Sequence, residues 1–149
     1  MSEQPTTGAT RREIATFGGQ PAYLWIGALA SAAMIIGGPA PWATAFGFIS
    51  FSGTRMHGWN EIALGILGLA MLGLHGLRGV RVTLIVAAVG GVLGAMQAVV
   101  TMAKLDSNGA VTVLGVQYRY LDPAWGLYLV LAGGIALACA AALAWRAGR

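Results

Sequence analysis

Trp59 to Leu77 reads WNEIALGILGLAMLGLHGL, and what this stretch forms decides what kind of protein the chain makes. It is apolar apart from its opening Asn60 and Glu61 and a late His75, with glycine at 65, 68, 73 and 76. At about 100° per residue the four glycines fall within one arc of roughly 140°, while Leu67, Met71 and Leu74 point elsewhere. In water so much glycine weakens a helix. In lipid nothing competes for the backbone hydrogen bonds, so the helix forms regardless, and its small-residue face lets a neighbour come close. Gly65, Gly68, Gly73 and Gly76 are therefore expected to be the packing face of a central membrane helix over about residues 59–77.

The composition agrees. Of 149 residues 57% are hydrophobic and only 9% charged, against roughly 25% charged in soluble domains, and the mean hydropathy is +0.72. The net charge of +4 comes from basic residues that sit mostly at the ends of apolar runs. That pattern orients a chain in a membrane and does not make a nucleic-acid patch. The single cysteine, Cys139, lies inside the last apolar run and permits no intrachain disulfide.

Outward from the central stretch, residues 1–20 form a polar tail with an Arg11-Arg12 anchor, and 21–149 form one domain. A first helix is expected over about 21–39, with Tyr23 and Trp25 at one interface, a stop at Pro39 and Pro41, and Trp42 at the far interface. Alternation of Phe46, Phe48, Ser50 and Ser52 against Ile49 and Phe51 predicts a strand in the loop over 43–58. Arg78 and Arg81 turn the chain into a third helix over about 82–103, where Ala87, Gly91, Ala95 and Ala98 form a small-residue stripe. In the loop over 104–123, Asn108-Gly109 predicts a hairpin turn and Leu114-Gly115 a bulge. Val116, Tyr118 and Tyr120 alternate as a strand there. Asp122-Pro123 then opens a fourth helix over about 124–145, with Ala132, Ala136, Ala140 and Ala144 on one face.

The expected fold is an all-α integral membrane protein, a four-transmembrane-helix bundle with a small extracytoplasmic β-hairpin or sheet cap. Six basic residues (Arg11, Arg12, Arg78, Arg81, Arg146, Arg149) lie on one side and three (Arg55, Lys104, Arg119) on the other. The positive-inside rule then puts both termini in the cytoplasm of a bacterial plasma membrane and both longer loops outside.

Few residues offer chemistry. His57 and Glu61 stand one turn apart, too few for a metal site. Asn60 is expected to cap the second helix, Glu61 to complement its dipole, and Arg55 or Arg119 to pair with Glu61. His75 is expected to hydrogen-bond the free carbonyls at its helix end. Gln97 is the only strongly polar side chain expected deep in the bilayer, as an interhelical hydrogen bond. No Ser/His/Asp set, CxxC pair, HExxH or phosphate loop occurs. Neither an enzyme nor a cofactor is expected.

Pro41-Trp42, Ser52-Gly53-Thr54, Gly58-Trp59 and the run Trp125-Gly126-Leu127-Tyr128 together resemble small four-helix membrane proteins of actinobacteria. A claudin-like arrangement is similar in outline, but the claudin tryptophan and paired cysteines are missing. The actinobacterial resemblance implies an accessory subunit of a larger envelope complex, such as the small integral subunit of mammalian-cell-entry (Mce) type lipid importers. Its partners would be larger integral subunits, an extracytoplasmic domain and lipid, and no nucleic acid. A small homo-oligomeric transporter or channel for an apolar compound, an accessory subunit of a respiratory complex, and a haem- or quinone-binding carrier resting on His75 are the other readings.

Overall fold

The computed structural model describes residues 16–17, 20–113 and 116–147, with side chains over 21–109 and 120–147. Among the described residues four helices carry the architecture: α1 (Ala22–Gly37), α2 (Gly58–Arg78), α3 (Val82–Asn108) and α4 (Trp125–Ala147). The described strands are short: β1 (Thr16–Phe17), β2 (Gln20–Pro21), β3 (Pro41–Ala45), β4 (Ile49–Ser52), β5 (Ala110–Val113), β6 (Val116–Arg119) and β7 (Leu121–Pro123). A single turn of 3-10 helix, Gly53–Met56, leads into α2. Among the described residues α2, α3 and α4 are long and apolar enough to cross a membrane, while α1 is a shorter apolar helix of 16 residues.

The helices form a ring in chain order. α1 packs on α2 and α4, α3 packs on the same two, and α2 and α4 scarcely touch across the middle. The most enclosed of the three long helices is α4, not the expected α2: 44% of its most apolar stretch is buried against 22% in α2. Adjacent glycines explain this, because neighbouring helical residues point about 100° apart. A Cβ on Gly133 would lie 2.8 Å from the Ala30 carbonyl of α1, and one on Gly134 would lie 2.6 Å from the Gly91 carbonyl of α3. Thus α4 meets two neighbours at backbone distance on adjacent flanks. On α2 one stripe is buried, made by Gly58, Glu61, Gly65, Gly68 and Leu72.

At one end of the ring β4, β3 and β7 form an antiparallel sheet in that order. The alternating segment expected to be one strand is a hairpin. Its tip turns through Phe46 (φ 53°) and Gly47 (φ 77°), and Ala45 pairs with Ile49. Asp122 and Pro123 belong to β7, where Thr44 pairs with Asp122 and Ala43 with Pro123, so α4 starts at Trp125 and Asp122 is not its cap. Proline suits this position because β7 is an edge strand and has no ladder bond to donate on its free side. Asn108 and Gly109 make no hairpin turn either. They end α3, whose cap Gly109 N–H donates to the Leu105 carbonyl at 2.8 Å. The helix runs on because Leu105 continues the buried face of Ala98 into a cluster with Trp42, Ala43, Leu127 and Val130. β5 and β6 pair as a separate hairpin, and the expected bulge at Leu114-Gly115 lies outside the described residues. At the opposite end Gly79 closes α2 in the left-handed conformation (φ 66°), its N–H on the His75 carbonyl at 2.8 Å.

Candidate functional site

Where the sheet meets the bundle, a set of hydrogen bonds gathers around Trp42. Tryptophan beside a proline suggests an interfacial anchor, but Trp42 is fully buried. Its indole Nε1–H donates to the Gly37 carbonyl at the end of α1 (2.9 Å), and its own carbonyl accepts from Ala124 N–H (2.9 Å). Gly53 N–H donates to the Ala40 carbonyl and the Ser52 hydroxyl to the Pro39 carbonyl, each at 2.9 Å. Side chains at Gly53 or Gly58 have no room, since a Cβ on either would run into the Gly38 carbonyl. The sheet is therefore bonded to the ends of α1 and α4 around a buried indole. A hydrogen-bonded junction of this kind favours one arrangement of its parts.

Beneath this plug stands Glu61. Its side chain is fully buried, and among the described residues neither carboxyl oxygen has a hydrogen-bond partner. A Cβ on Gly94 of α3 would lie 2.7 Å from Glu61 Oε2 and would meet Met34 Cε of α1, so the carboxyl and the methionine end together occupy the space beside Gly94. The expected roles do not hold. Asn60 is exposed and does not cap the helix, and the cap position is His57, in the left-handed conformation (φ 76°) with no side-chain capping bond. Arg55 is exposed on the 3-10 turn and does not pair with Glu61; the Arg119 side chain lies outside the described residues.

Glu61 could have been found in the sequence. It lies four residues before Gly65, on the stripe that continues through Gly68 and Leu72. The rule that puts the glycines against a neighbour puts the carboxylate there too. Ser31 carried no such signal. It is fully buried on α1 with an unpartnered Oγ, 3.1 Å from where a Cβ on Gly68 would stand. Thr83, also buried, is satisfied by the Val80 carbonyl at 2.6 Å.

The other anticipated residues are spread through the fold. Gln97 is half-buried on α3, and its Nε2 donates to the His57 carbonyl at 3.4 Å, tying α3 to the corner before α2. His57 itself is exposed. His75 reaches past its own helix end to the Val80 carbonyl at 3.1 Å. Gly65 and Gly68 are buried against α1 and α4, a Cβ on Gly65 falling 2.9 Å from the Ser31 carbonyl. Gly73 and Gly76 depart from the expected packing face: both are exposed, and a Cβ on Gly73 would meet nothing within 4 Å. The buried place beside them goes to Leu72, which fills the space left by Gly27. Gly91 and Ala95 face Gly134, Ala136 packs at the edge of the core, and Ala140 is fully buried. Among the described residues no group of three or more His, Cys, Asp or Glu could hold a metal ion.

A groove of about 560 Å³ runs between α2 and α3, walled by Leu64, Leu67, Leu93 and Met96 with the amides of Asn60 and Gln97 in its lining. At the tip of the β3–β4 hairpin Phe46 (68% exposed) and Phe48 (78% exposed) stack with ring centroids 6.4 Å apart, and Tyr120 sits 6.3 Å from Phe46. No known protein family matches the chain, nor does any curated protein or any solved structure.

Proposed function

We propose that the chain is a four-span plasma-membrane protein with both termini in the cytoplasm, acting as a non-catalytic accessory subunit of a larger membrane complex. The resemblance read from the sequence favours a lipid-transport complex of the Mce type. The four-span reading needs α1 to cross as well. Its 16 residues reach about 24 Å of a core about 30 Å thick, a mismatch that local thinning of the bilayer absorbs. The six-to-three split of basic residues sets the orientation and puts the β4–β3–β7 sheet outside.

One observation carries the accessory role. Phe46, Phe48 and Ile49 stand exposed together at the tip of a hairpin whose base is hydrogen-bonded to the bundle. An apolar tip on a fixed base, beyond the ends of the helices, suits a contact with an outer domain of a partner. The test is a photo-crosslinking residue at position 48 in the native membrane. The expected product is a heterologous envelope protein that co-purifies in mild detergent with larger integral subunits. Crosslinks to copies of this chain alone would remove the accessory reading. Orientation is tested by cysteines placed at Ser107 and Ala147: an impermeant reagent should reach the first in intact cells and miss the second.

A second reading, a small homo-oligomeric transporter, is favoured by Glu61. Buried ionisable side chains in membrane helices are costly and mark coupling sites in transporters. Complementation separates the two readings. An accessory subunit should lose function on Phe46→Ser/Phe48→Ser and keep it on Glu61→Gln, and a coupled transporter should do the reverse.

A further inference from the structure

We propose that Glu61 is a proton-binding site, a carboxyl that exchanges a proton with water at the sheet end of α2 and uses no metal ion. It holds for an accessory subunit and for a transporter alike. Three features of the geometry carry it.

The first is that both carboxyl oxygens are buried and unpartnered. A bare carboxylate in such a place has no counter-charge or hydrogen-bond donor among the described residues to stabilise it, and a bound proton removes the charge at its source. The second is that the described surroundings supply no second ligand. Gly94 lies beside Oε2, and Met34 Cε shares the space that a side chain at 94 would take. A metal ion of the size that carboxylates hold needs several oxygen ligands, whereas a proton needs one. The other orphan oxygen, Ser31 Oγ, stands against Gly68, two turns further along α2. The third is position. Glu61 is in the opening turn of α2, next to the exposed Asn60 and one turn from the exposed His57, and the cap of that helix makes no side-chain hydrogen bond. Water therefore has a short way in if that turn loosens.

No titratable side chain among the described residues faces the carboxyl from the elements around it. α1 carries only Tyr23, at its far end, and on α3 Lys104 and Asp106 are exposed beyond the bundle. On α4 Tyr128, Cys139 and Arg146 are exposed, as is Arg55 in the 3-10 turn. The step is a plain acid dissociation. The O–H bond breaks, both electrons stay on the carboxylate, and the proton passes to water at the sheet end.

The test uses the full chain in its own membranes, labelled in parallel with the apolar dicyclohexylcarbodiimide and with a water-soluble carbodiimide, and mapped by peptide mass. The apolar reagent attacks a protonated carboxyl in an apolar setting. It should modify Glu61, with a yield falling about tenfold or more from mildly acidic to alkaline pH and unchanged by sodium. The water-soluble reagent should spare Glu61 and take Asp106 and Asp122. Failure of Glu61 to react at any pH where Asp106 and Asp122 do would overturn the proposal. So would labelling of Glu61 by the water-soluble reagent, which would make it an open surface acid, and so would protection by sodium, which would make it a metal-ion site. Glu61→Gln should abolish the adduct and give a chain whose melting changes less between mildly acidic and alkaline pH than that of the unaltered chain. If that variant fails to fold, the labelling pattern of the unaltered chain decides alone.

Discussion

α2 and α4 are apolar helices of similar length, 21 and 23 residues, each carrying several glycines, yet they occupy opposite situations. On α4 each of Gly126, Gly133 and Gly134 faces a neighbour's backbone: the Pro41, Ala30 and Gly91 carbonyls, at 2.6, 2.8 and 2.6 Å from an added Cβ. On α2 the glycines of the first half face neighbours closely, while a Cβ on Gly73 would meet nothing within 4 Å and one on Gly76 only the end of Leu24 at 3.4 Å. A glycine on a helix face shows that a neighbour could come close. Whether one does depends on where that neighbour runs. Gly73 lies at the edge of the arc, and opposite Gly76 there is only Leu24, in the first turn of α1.

Substitutions sharpen this contrast, and the largest effect is expected at the junction that α4 shares with the sheet. Trp42→Ala removes a fully buried indole and its bond to Gly37, and should cost about 3–5 kcal/mol in thermal unfolding in detergent. Gly68→Leu comes next. A Cβ there would lie 2.7 Å from Leu137 Cδ2, a side chain that can move, so the loss should be about 1–3 kcal/mol. Leu67→Ala, on the open side of the same helix, should cost less than Gly68→Leu when melted beside it. Smallest is His75→Ala, which removes one exposed hydrogen bond to Val80 and should cost about 0.5–1 kcal/mol.

How much of this was legible follows from which residues had a local signal. The helices were readable because apolar length needs no partner to show itself, and their ends fell within a few residues of Pro39, Gly58, Arg78 and Arg81. Gly65 and Gly68 were readable from the same periodicity. The choice between Gly73 and Leu72 was not, since it depends on the angle at which α1 crosses. Trp42 misled because interfacial and buried tryptophans look alike in sequence: both pair an apolar body with one polar N–H that needs a partner. Here the partner is a helix-end carbonyl. Asn108-Gly109 and Asp122-Pro123 are good local turn and cap signals, overridden by Leu105 packing under the sheet and by β7 pairing with β3. Glu61 has two local signals that compete: its place on the glycine stripe points to burial, and its place in the first turn points to the general habit of acids at helix starts.

The central structural claim is that α4, and not α2, is the helix around which the others are arranged. The most direct measurement compares the same change on each: Gly134→Leu on α4 and Gly73→Leu on α2, purified and melted side by side. A side chain at 134 would be driven into the Gly91 carbonyl and the Ala95 amide, 2.6 and 2.7 Å from its Cβ, and backbone cannot step aside as a side chain can. The loss there should be about 3 kcal/mol or more, with little folded protein recovered, while Gly73→Leu should melt with the unaltered chain. Equal losses at the two positions, or a larger one at 73, would contradict the arrangement described.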